Sequence, residues 1–256
     1  MRDKIFTILF LFSVLFSMAQ SSAFQSGESL KFQMSYGFIN AGIATLNLHS
    51  STYNGKNVYH AKGHGYTTGL TKTFFKVNDD YQSYFDKVTG NSYRFIRKID
   101  EGGYKKDQEG FFDTAKNTVL VKDYKNNSQK TFNVPNNIQD ILSSFYYLRN
   151  HDRISSLNKG ETIEIDMFFD DETFKFKLKF MGKEEIKTKF GKINTLKFRP
   201  YVQSGRVFKE DESLTMWISD DENRIPLKVQ ASLLVGSLKA ELTHYSGLAH
   251  KIVFKK

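Results

Sequence analysis

The sequence predicts a mainly β protein, with an incurved or barrel-like antiparallel sheet and one main amphipathic helix at about residues 137–150. Apolar and polar residues alternate over many short segments, as they do in strands with one buried face. The 256 residues include 24 Phe and 13 Tyr but only 3 Pro, a composition that favours strands. One segment breaks the alternation and repeats its apolar residues every three or four positions, which indicates a helix.

The first nineteen residues predict a signal peptide. Arg2 and Lys4 precede an apolar run at residues 5–18, which is shorter than a bilayer span and typical of a signal-peptide core. Small residues favour cleavage after Ala19, with cleavage after Ala23 as the alternative. Cleavage after Ala19 removes two basic residues and one acidic residue, so the net charge falls from +9 to 9 − 1 = +8. We expect an exported protein without a transmembrane segment in the mature chain, either resident in the periplasm or released outside the cell.

The remaining chain, residues 24–256, is predicted to form a single domain, because no linker-like or repetitive stretch divides it. Its clearest hairpin pairs residues 163–169 with residues 174–180 across the turn residues Asp170, Asp171 and Glu172. Strong alternation also covers residues 30–38, 214–218, 225–233 and 238–242. Weaker strand candidates are residues 41–49, 56–62, 73–85, 91–99, 103–113, 117–124, 129–134 and 192–199. Strands at this spacing predict a meandering sheet that is curled so that few edges stay open.

The helix is predicted from one apolar stripe, formed by Ile138, Ile141, Leu142, Phe145 and Leu148. Asn136 or Asn137 is expected to cap its start, with Asp140 in the first turn and Arg149 in the last. A helix of this length is marginal in water by itself. We therefore expect its apolar stripe to pack against the sheet.

No catalytic motif can be identified in the sequence. The chain has no Cys, which excludes disulfides, thiolate metal sites and thiol nucleophiles. Ser156 and Lys159 match a Ser-x-x-Lys pattern at two positions only, and a loop is the better interpretation. His60 and His64 lie in a Gly-rich stretch without a third ligand, so loop or surface histidines are favoured over a metal site. The acidic pairs at residues 79–80, 170–171 and 220–221 are typical of turns, although the first lies among aromatic residues.

A cluster of lysines follows the predicted hairpin. Three of them alternate with phenylalanines and therefore project from one face of a strand; the set is Lys175, Lys177, Lys179, Lys183, Lys187, Lys189 and Lys192. A solvated outer face that discourages edge pairing is the favoured interpretation. A cationic surface for anionic lipids or polyanions is the alternative. Nucleic-acid binding is not expected, because the signal peptide directs the protein away from nucleic acid.

Four segments of the chain form a recognisable set. They are the opening Phe24-Gln25-Ser26-Gly27-Glu28-Ser29-Leu30 with Tyr36-Gly37 and Ala41-Gly42, the central 140–149 segment DILSSFYYLR, the late 217–226 segment WISDDENRIP, and the closing 236–242 segment GSLKAEL. In this order they resemble the DUF3108 family of exported bacterial proteins. The resemblance spans about residues 24–245, and the family supplies no catalytic residues. It implies a fold similar to the lipoprotein carriers, in which an incurved antiparallel sheet wraps around helix and encloses an apolar hollow.

We expect a non-enzymatic envelope protein whose curved sheet binds a lipid or another apolar ligand. Export, aromatic strand faces and a single amphipathic helix motivate this hypothesis. The residues expected to line the hollow are Phe32, Met34, Tyr36, Phe145, Trp217 and Leu227. No catalytic residue, cofactor or metal ligand is predicted. One alternative is an envelope interaction or assembly protein that binds a protein partner. The other is a hydrolase-type enzyme, with Asp79, Asp80, Asp220 or Asp221 as acid or base and Arg224 as a substrate clamp.

Overall fold

The alternating segments form fourteen strands in a computed structural model that describes residues 22–202, 214–232 and 236–256. The strands are β1 (Ser29–Tyr36), β2 (Ile39–Tyr53), β3 (Lys56–Thr67), β4 (Asn78–Asp86), β5 (Ser92–Glu101), β6 (Tyr104–Asp113), β7 (Thr118–Asp123), β8 (Ser128–Asn133), β9 (Thr162–Phe169), β10 (Glu172–Thr188), β11 (Gly191–Val202), β12 (Leu214–Ser219), β13 (Pro226–Ser232) and β14 (Ser237–Ser246). The helices are α1 (Gly69–Phe74), α2 (Ile141–Arg149) and a 3-10 helix (Asp152–Ser155). The predicted signal peptide and Leu233 lie outside the described residues.

All fourteen strands belong to one antiparallel sheet. Its order is β8-β7-β6-β5-β4-β3-β2-β1-β14-β13-β12-β11-β10-β9. Strand β1 lies in the middle, between β2 and β14, so the first and last strands are neighbours at the centre of the sheet. The mainly β, meandering architecture predicted from the sequence is confirmed.

The sheet curls until its two end regions touch. Phe168 on the end strand β9 packs against Phe95, Phe112 and Phe132 from β5, β6 and β8, with ring centroids 6.2, 6.3 and 5.4 Å away. Just before α2, the backbone N–H of Gln139 donates to Asp166 O, and Gln139 O accepts from Phe168 N. The sheet is therefore barrel-like and incurved as predicted, but it is not closed by strand pairing.

Helix α2 lies inside the curl and begins later than predicted. The N-cap is Asp140, whose carboxylate accepts hydrogen bonds from Leu142 N and Ser143 N, and neither Asn136 nor Asn137 caps the helix. The reason is that Gln139 is still extended and bonded to β9. Burial is also broader than one stripe, because Tyr146 is fully buried on another side of the helix. Among the described residues, no helix has the length and apolar character needed to span a membrane.

Within the described residues, the other predicted strands are found with one exception. The turn favoured for Asp79 and Asp80 and the loop favoured for His60 and His64 are wrong, because these residues lie in β4 and β3. The predicted hairpin is β9 and β10, paired from Phe169 and Glu172 onward, with Asp170 and Asp171 at φ of 51° and 64° in its turn. The predicted strand 73–85 is wrong at its start, because α1 ends at Phe74 and β4 begins only at residue 78.

Candidate functional site

A buried ion pair fixes the C-terminal end of α2. Arg149 Nη1 donates to Glu28 Oε1 at 2.6 Å and Arg149 Nη2 donates to Glu28 Oε2 at 2.8 Å. Both side chains are inaccessible to solvent, at 3% and 0% exposure. Arg149 also donates to Ala23 O and, through Nε and Nη2, to Asn223 O. The guanidinium is thus fully occupied by the protein, as a buried charge requires.

The turn between β12 and β13 joins the same cluster. Arg224 Nη1 donates to the backbone oxygen of Arg149 at 2.6 Å, and the side chain of Asn223 bonds the backbone of His250. Asp221 holds the turn by accepting from Arg224 N at 3.0 Å. Three of the segments that carry the family resemblance therefore meet at one point: the opening Gly-Glu, the end of the central helix and the late Arg-x-Pro stretch.

A second polar cluster fixes the N-terminal end of α2. Asp140 Oδ2 accepts from Ser83 Oγ at 2.6 Å, and Ser143 Oγ lies 2.6 Å from Ser92 Oγ. Ser143 Oγ accepts from Asp140 N at 2.9 Å and completes a capping box. Burial raises the pKa of Asp140, whereas these hydrogen bonds oppose the rise. The cluster ties the helix to β4 and β5.

Between these two anchored ends lies an apolar cavity of about 250 Å³. It is bounded by α2 on one side and by the inner faces of β9 to β12 on the other. Its lining is nearly all hydrocarbon, with two arginines and one serine as the polar members: Ile141, Ser144, Phe145, Leu148, Arg149, Ile154, Met167, Phe176, Leu178, Pro200, Leu214, Met216, Ile218 and Arg224. We call this space the α2 cavity. An apolar hollow with few convergent polar groups is the usual form of a small-ligand site.

The structure does not bring the six expected lining residues together. Phe145 lines the α2 cavity. Phe32 and Leu227 pack in a different core cluster beside β1 and β13, Met34 is half-buried, and Tyr36 is 41% exposed at the end of β1. The alternation correctly indicated strands, but it cannot show which part of a curled sheet stays unfilled.

Trp217 lies on the opposite face of β12 from the cavity. Its indole N–H donates to Glu184, and the ammonium groups of Lys197 and Lys228 lie 5.3 and 4.9 Å from its ring centroid. Its neighbours Met216 and Ile218 face the cavity instead. The period-two pattern of this strand could have indicated this orientation, because residues 214, 216 and 218 share one face and residue 217 lies on the other.

The acidic residues considered for acid–base chemistry have separate environments. Asp79, in β4, accepts a hydrogen bond from the backbone N–H of Asp100 at 3.1 Å. Asp220 forms an ion pair with Lys183 at 2.9 Å, and Asp221 supports the β12–β13 turn. The pKa of Glu101 is raised to about 7. The largest cause is its hydrogen bond with Asp79, and burial and the negative charge of Asp79 add to it. Asp79 thus interacts with Glu101 in β5, whereas Asp220 and Asp221 have partners elsewhere in the fold.

The histidines and lysines also have protein partners. His60 and His64 lie on β3, with ring nitrogens 2.8 Å from Gln82 Oε1 and 3.0 Å from Asn78 Oδ1. Carboxylates lie beside four of the seven clustered lysines: Lys175, Lys177, Lys183 and Lys192. Much of the cationic strand face is therefore neutralised by the protein itself.

The fold and the α2 cavity define a class of protein: a curled, barrel-like sheet with a helix inside and an apolar hollow beside that helix. Among solved structures, the chain is similar to the β-barrel-like protein of domain of unknown function DUF1849 from Brucella abortus, with a TM-score of 0.56 and 9% identity. The alignment covers 87% of this chain and 98% of the other. At this identity the likeness concerns the fold alone.

The chain belongs to the DUF3108 family, described as proteins of unknown function, whose model matches residues 31–243. The family expected from the sequence is therefore confirmed. No curated protein sequence matches the chain.

Two further solved structures are similar over most of their length. One is a Bacteroides fragilis protein with a YmcC-like fold, described as exported (TM-score 0.36, 12% identity, 87% and 96% coverage of this chain and of that one). The other is a Parabacteroides distasonis protein described as a lipoprotein (TM-score 0.32, 11% identity, 88% and 99% coverage).

Proposed function

We propose that this protein is a non-enzymatic periplasmic protein that binds a lipid or another apolar ligand in the α2 cavity. The observation that supports the proposal is the cavity itself, about 250 Å³ of space lined by hydrocarbon. When an apolar ligand replaces water in such a space, apolar surface is removed from water and the free energy of the system falls. The volume is slightly below the common range of about 300–1,000 Å³ for ligand pockets, which suits one acyl chain.

The arrangement of α2 supports the same function. Both ends of the helix are fixed by buried polar clusters, so the cavity wall is held in place independently of what fills the space between. A pre-formed wall reduces the ordering cost of ligand binding. The separate environments of Asp79 and Asp220 also favour binding over acid–base catalysis.

The test combines native mass spectrometry and lipid extraction with a substitution that fills the cavity. Met216 faces the cavity, and its neighbour Thr215 is not among the lining residues. We expect wild-type protein purified from its own envelope to carry ligand, M216W to lose it, and T215W to keep it. Ligand-free wild-type protein in repeated preparations would overturn the proposal, as would equal ligand content in the two variants.

The alternative function, interaction with an envelope protein, is favoured by one surface feature. The hairpin between β1 and β2 exposes Phe38 fully and Ile39 at 61%, and α1 exposes Leu70, Phe74 and Phe75 at 78%, 85% and 53%. A hydrogen bond from Thr68 N to Ala41 O places α1 beside this hairpin. We call these five side chains the apolar tip. Exposed apolar patches often mark interaction surfaces.

Photo-crosslinking in cells tests this alternative. A photoreactive residue replacing Phe38 should trap one partner of defined mass, and F74S should abolish the adduct. The control replaces Val88, which is 93% exposed and lies outside the apolar tip. Similar weak adducts from both positions would argue against a partner at the tip.

A further inference from the structure

Among the described residues that line the α2 cavity, Arg224 is a cation with a single side-chain hydrogen bond. Arg149 and Arg224 both line the cavity, but Arg149 is occupied by Glu28 and two backbone oxygens. Arg224 uses one of its guanidinium donors, the Nη1 bond to Arg149 O. Its Nε is shielded from water and has no hydrogen-bond partner among the described residues. A guanidinium carries five N–H donors, and the Nη1 bond is the only one that Arg224 forms from its side chain to the described residues.

The two acids that precede Arg224 in the β12–β13 turn have other hydrogen-bond or ion-pair partners. Asp221 Oδ1 accepts from Ser219 Oγ and from the backbone N–H groups of Asn223 and Arg224. Glu222 pairs with His250 at 2.9 Å. Among the described residues, no carboxylate forms an ion pair with the Arg224 guanidinium. Burial, and after it the positive charge of Arg149, lowers the pKa of Arg224, whereas the negative charges of Asp221 and Glu222 oppose the shift.

The side chain is also held in position. Arg224 lies in the β12–β13 turn at φ 49°, and its backbone N–H is fixed by Asp221 at 3.0 Å. The Nη1 bond then directs the guanidinium to the end of α2, beside hydrocarbon from Leu148 and Ile218. A planar donor group is thus fixed at the edge of an apolar space, a geometry that suits carboxylate or phosphate oxygens.

We propose that the ligand of the α2 cavity is a single-chain anionic amphiphile whose carboxylate or phosphate is bound by Arg224. The inference rests on the proposed function and adds the chemical class of the ligand. The acyl chain occupies the space between α2 and strands β9 to β12. The anionic group accepts hydrogen bonds from Arg224 and leaves Arg149 in its pair with Glu28.

Displacement of N-phenyl-1-naphthylamine, an uncharged fluorescent probe, from the delipidated mature protein tests the inference. The competitors are dodecanoate, dodecyl phosphate, 1-dodecanol and inorganic phosphate. We expect both anionic chains to displace the probe at concentrations about tenfold or more below that of the alcohol, as one charge-assisted contact allows. Inorganic phosphate should displace nothing, because it lacks the chain. Stronger binding of dodecanoate or of dodecyl phosphate distinguishes a carboxylate ligand from a phosphate ligand.

Variants of Arg224 assign the preference to its side chain. R224Q should abolish the advantage of the anionic chains over 1-dodecanol, measured within the same variant, and R224K should keep part of it. K183Q, which removes an exposed cation on the outer side, should match wild type. Equal displacement by dodecanoate and dodecanol in wild-type protein would overturn the inference while the proposed function stands. A protein that binds neither probe nor chain would overturn both, and the wild-type comparison requires no variant to fold.

Discussion

Replacing Arg149 with methionine should destabilise the protein far more than removing a surface cation. Methionine keeps much of the apolar volume of the stem but leaves the Glu28 carboxylate, which is 0% exposed, without its partner. It also removes the donor shared by Ala23 O and Asn223 O. Breaking a buried pair in this way costs about 3–5 kcal/mol. We therefore expect R149M to lose about that much free energy of unfolding in urea titrations of the mature protein.

The matched control is K183M. Lys183 forms a salt bridge of 2.9 Å with Asp220, but its side chain is 56% exposed. A surface pair contributes only about 0–1 kcal/mol, so the urea midpoint of K183M should stay close to wild type. Both substitutions remove one positive charge, which excludes a general effect of net charge.

The double variant E28Q/R149M separates the buried charge from the lost hydrogen bonds. If an unpaired carboxylate is the main cost, adding E28Q to R149M should restore part of the lost free energy of unfolding, because position 28 then carries no unpaired charge. The reasoning is refuted if R149M and K183M lose equal amounts. It is also refuted if E28Q lowers the free energy of unfolding of R149M by as much as it lowers that of the wild-type protein.

Three further outcomes follow from the described contacts. D140A should lower the free energy of unfolding by about 1–3 kcal/mol in urea titrations, because the α2 N-cap is lost and buried donors remain unsatisfied. NMR titration should show Glu101 losing its proton near pH 7 rather than at its ordinary 4.5, and D79N should lower that pKa. Between about pH 4.5 and 7, Glu101 keeps its proton in the folded protein but has released it in the unfolded chain. The contribution of Glu101 to the free energy of unfolding should therefore fall as pH rises from about 4.5 to about 7. D79N should make this pH dependence weaker. Mass spectrometry of the exported protein should give Gln20 as the first residue, because cleavage before Phe24 would remove the Ala23 oxygen that accepts from the buried arginine.

Much of the fold could be predicted because one face of most strands is buried. The alternation in β9 and β10 gave the correct hairpin, and Asp170 and Asp171 marked its turn. The start of α2 was not predictable from periodicity, because Ile138 fits the apolar stripe but precedes the helix and packs with Phe168 of β9. Pairing of Gln139 with the end strand decides that boundary, and such a long-range contact leaves no mark in local spacing.

The candidate site was harder to predict than the fold. Phe145 lines the α2 cavity, whereas Phe32 and Leu227 have the same apolar character and pack in a separate core cluster. The difference lies in how the sheet curls around α2, which depends on contacts between distant strands. Arg224 was identified only as a clamp in the enzyme alternative. Its position beside an apolar space appears only once β12, β13 and α2 are packed together.

The placement of polar groups around α2 explains how a nine-residue helix can border a cavity. Such a helix is marginal by its own propensity, and an unfilled side gives it less packing than a solid core would. Asp140 compensates at one end by bonding Ser83 and the first turn, and Arg149 compensates at the other by pairing with Glu28. Because both anchors lie outside the middle of the helix, a ligand could enter or leave without breaking either of them. Loss of an anchor should therefore disturb both stability and ligand binding, whereas M216W should abolish binding alone.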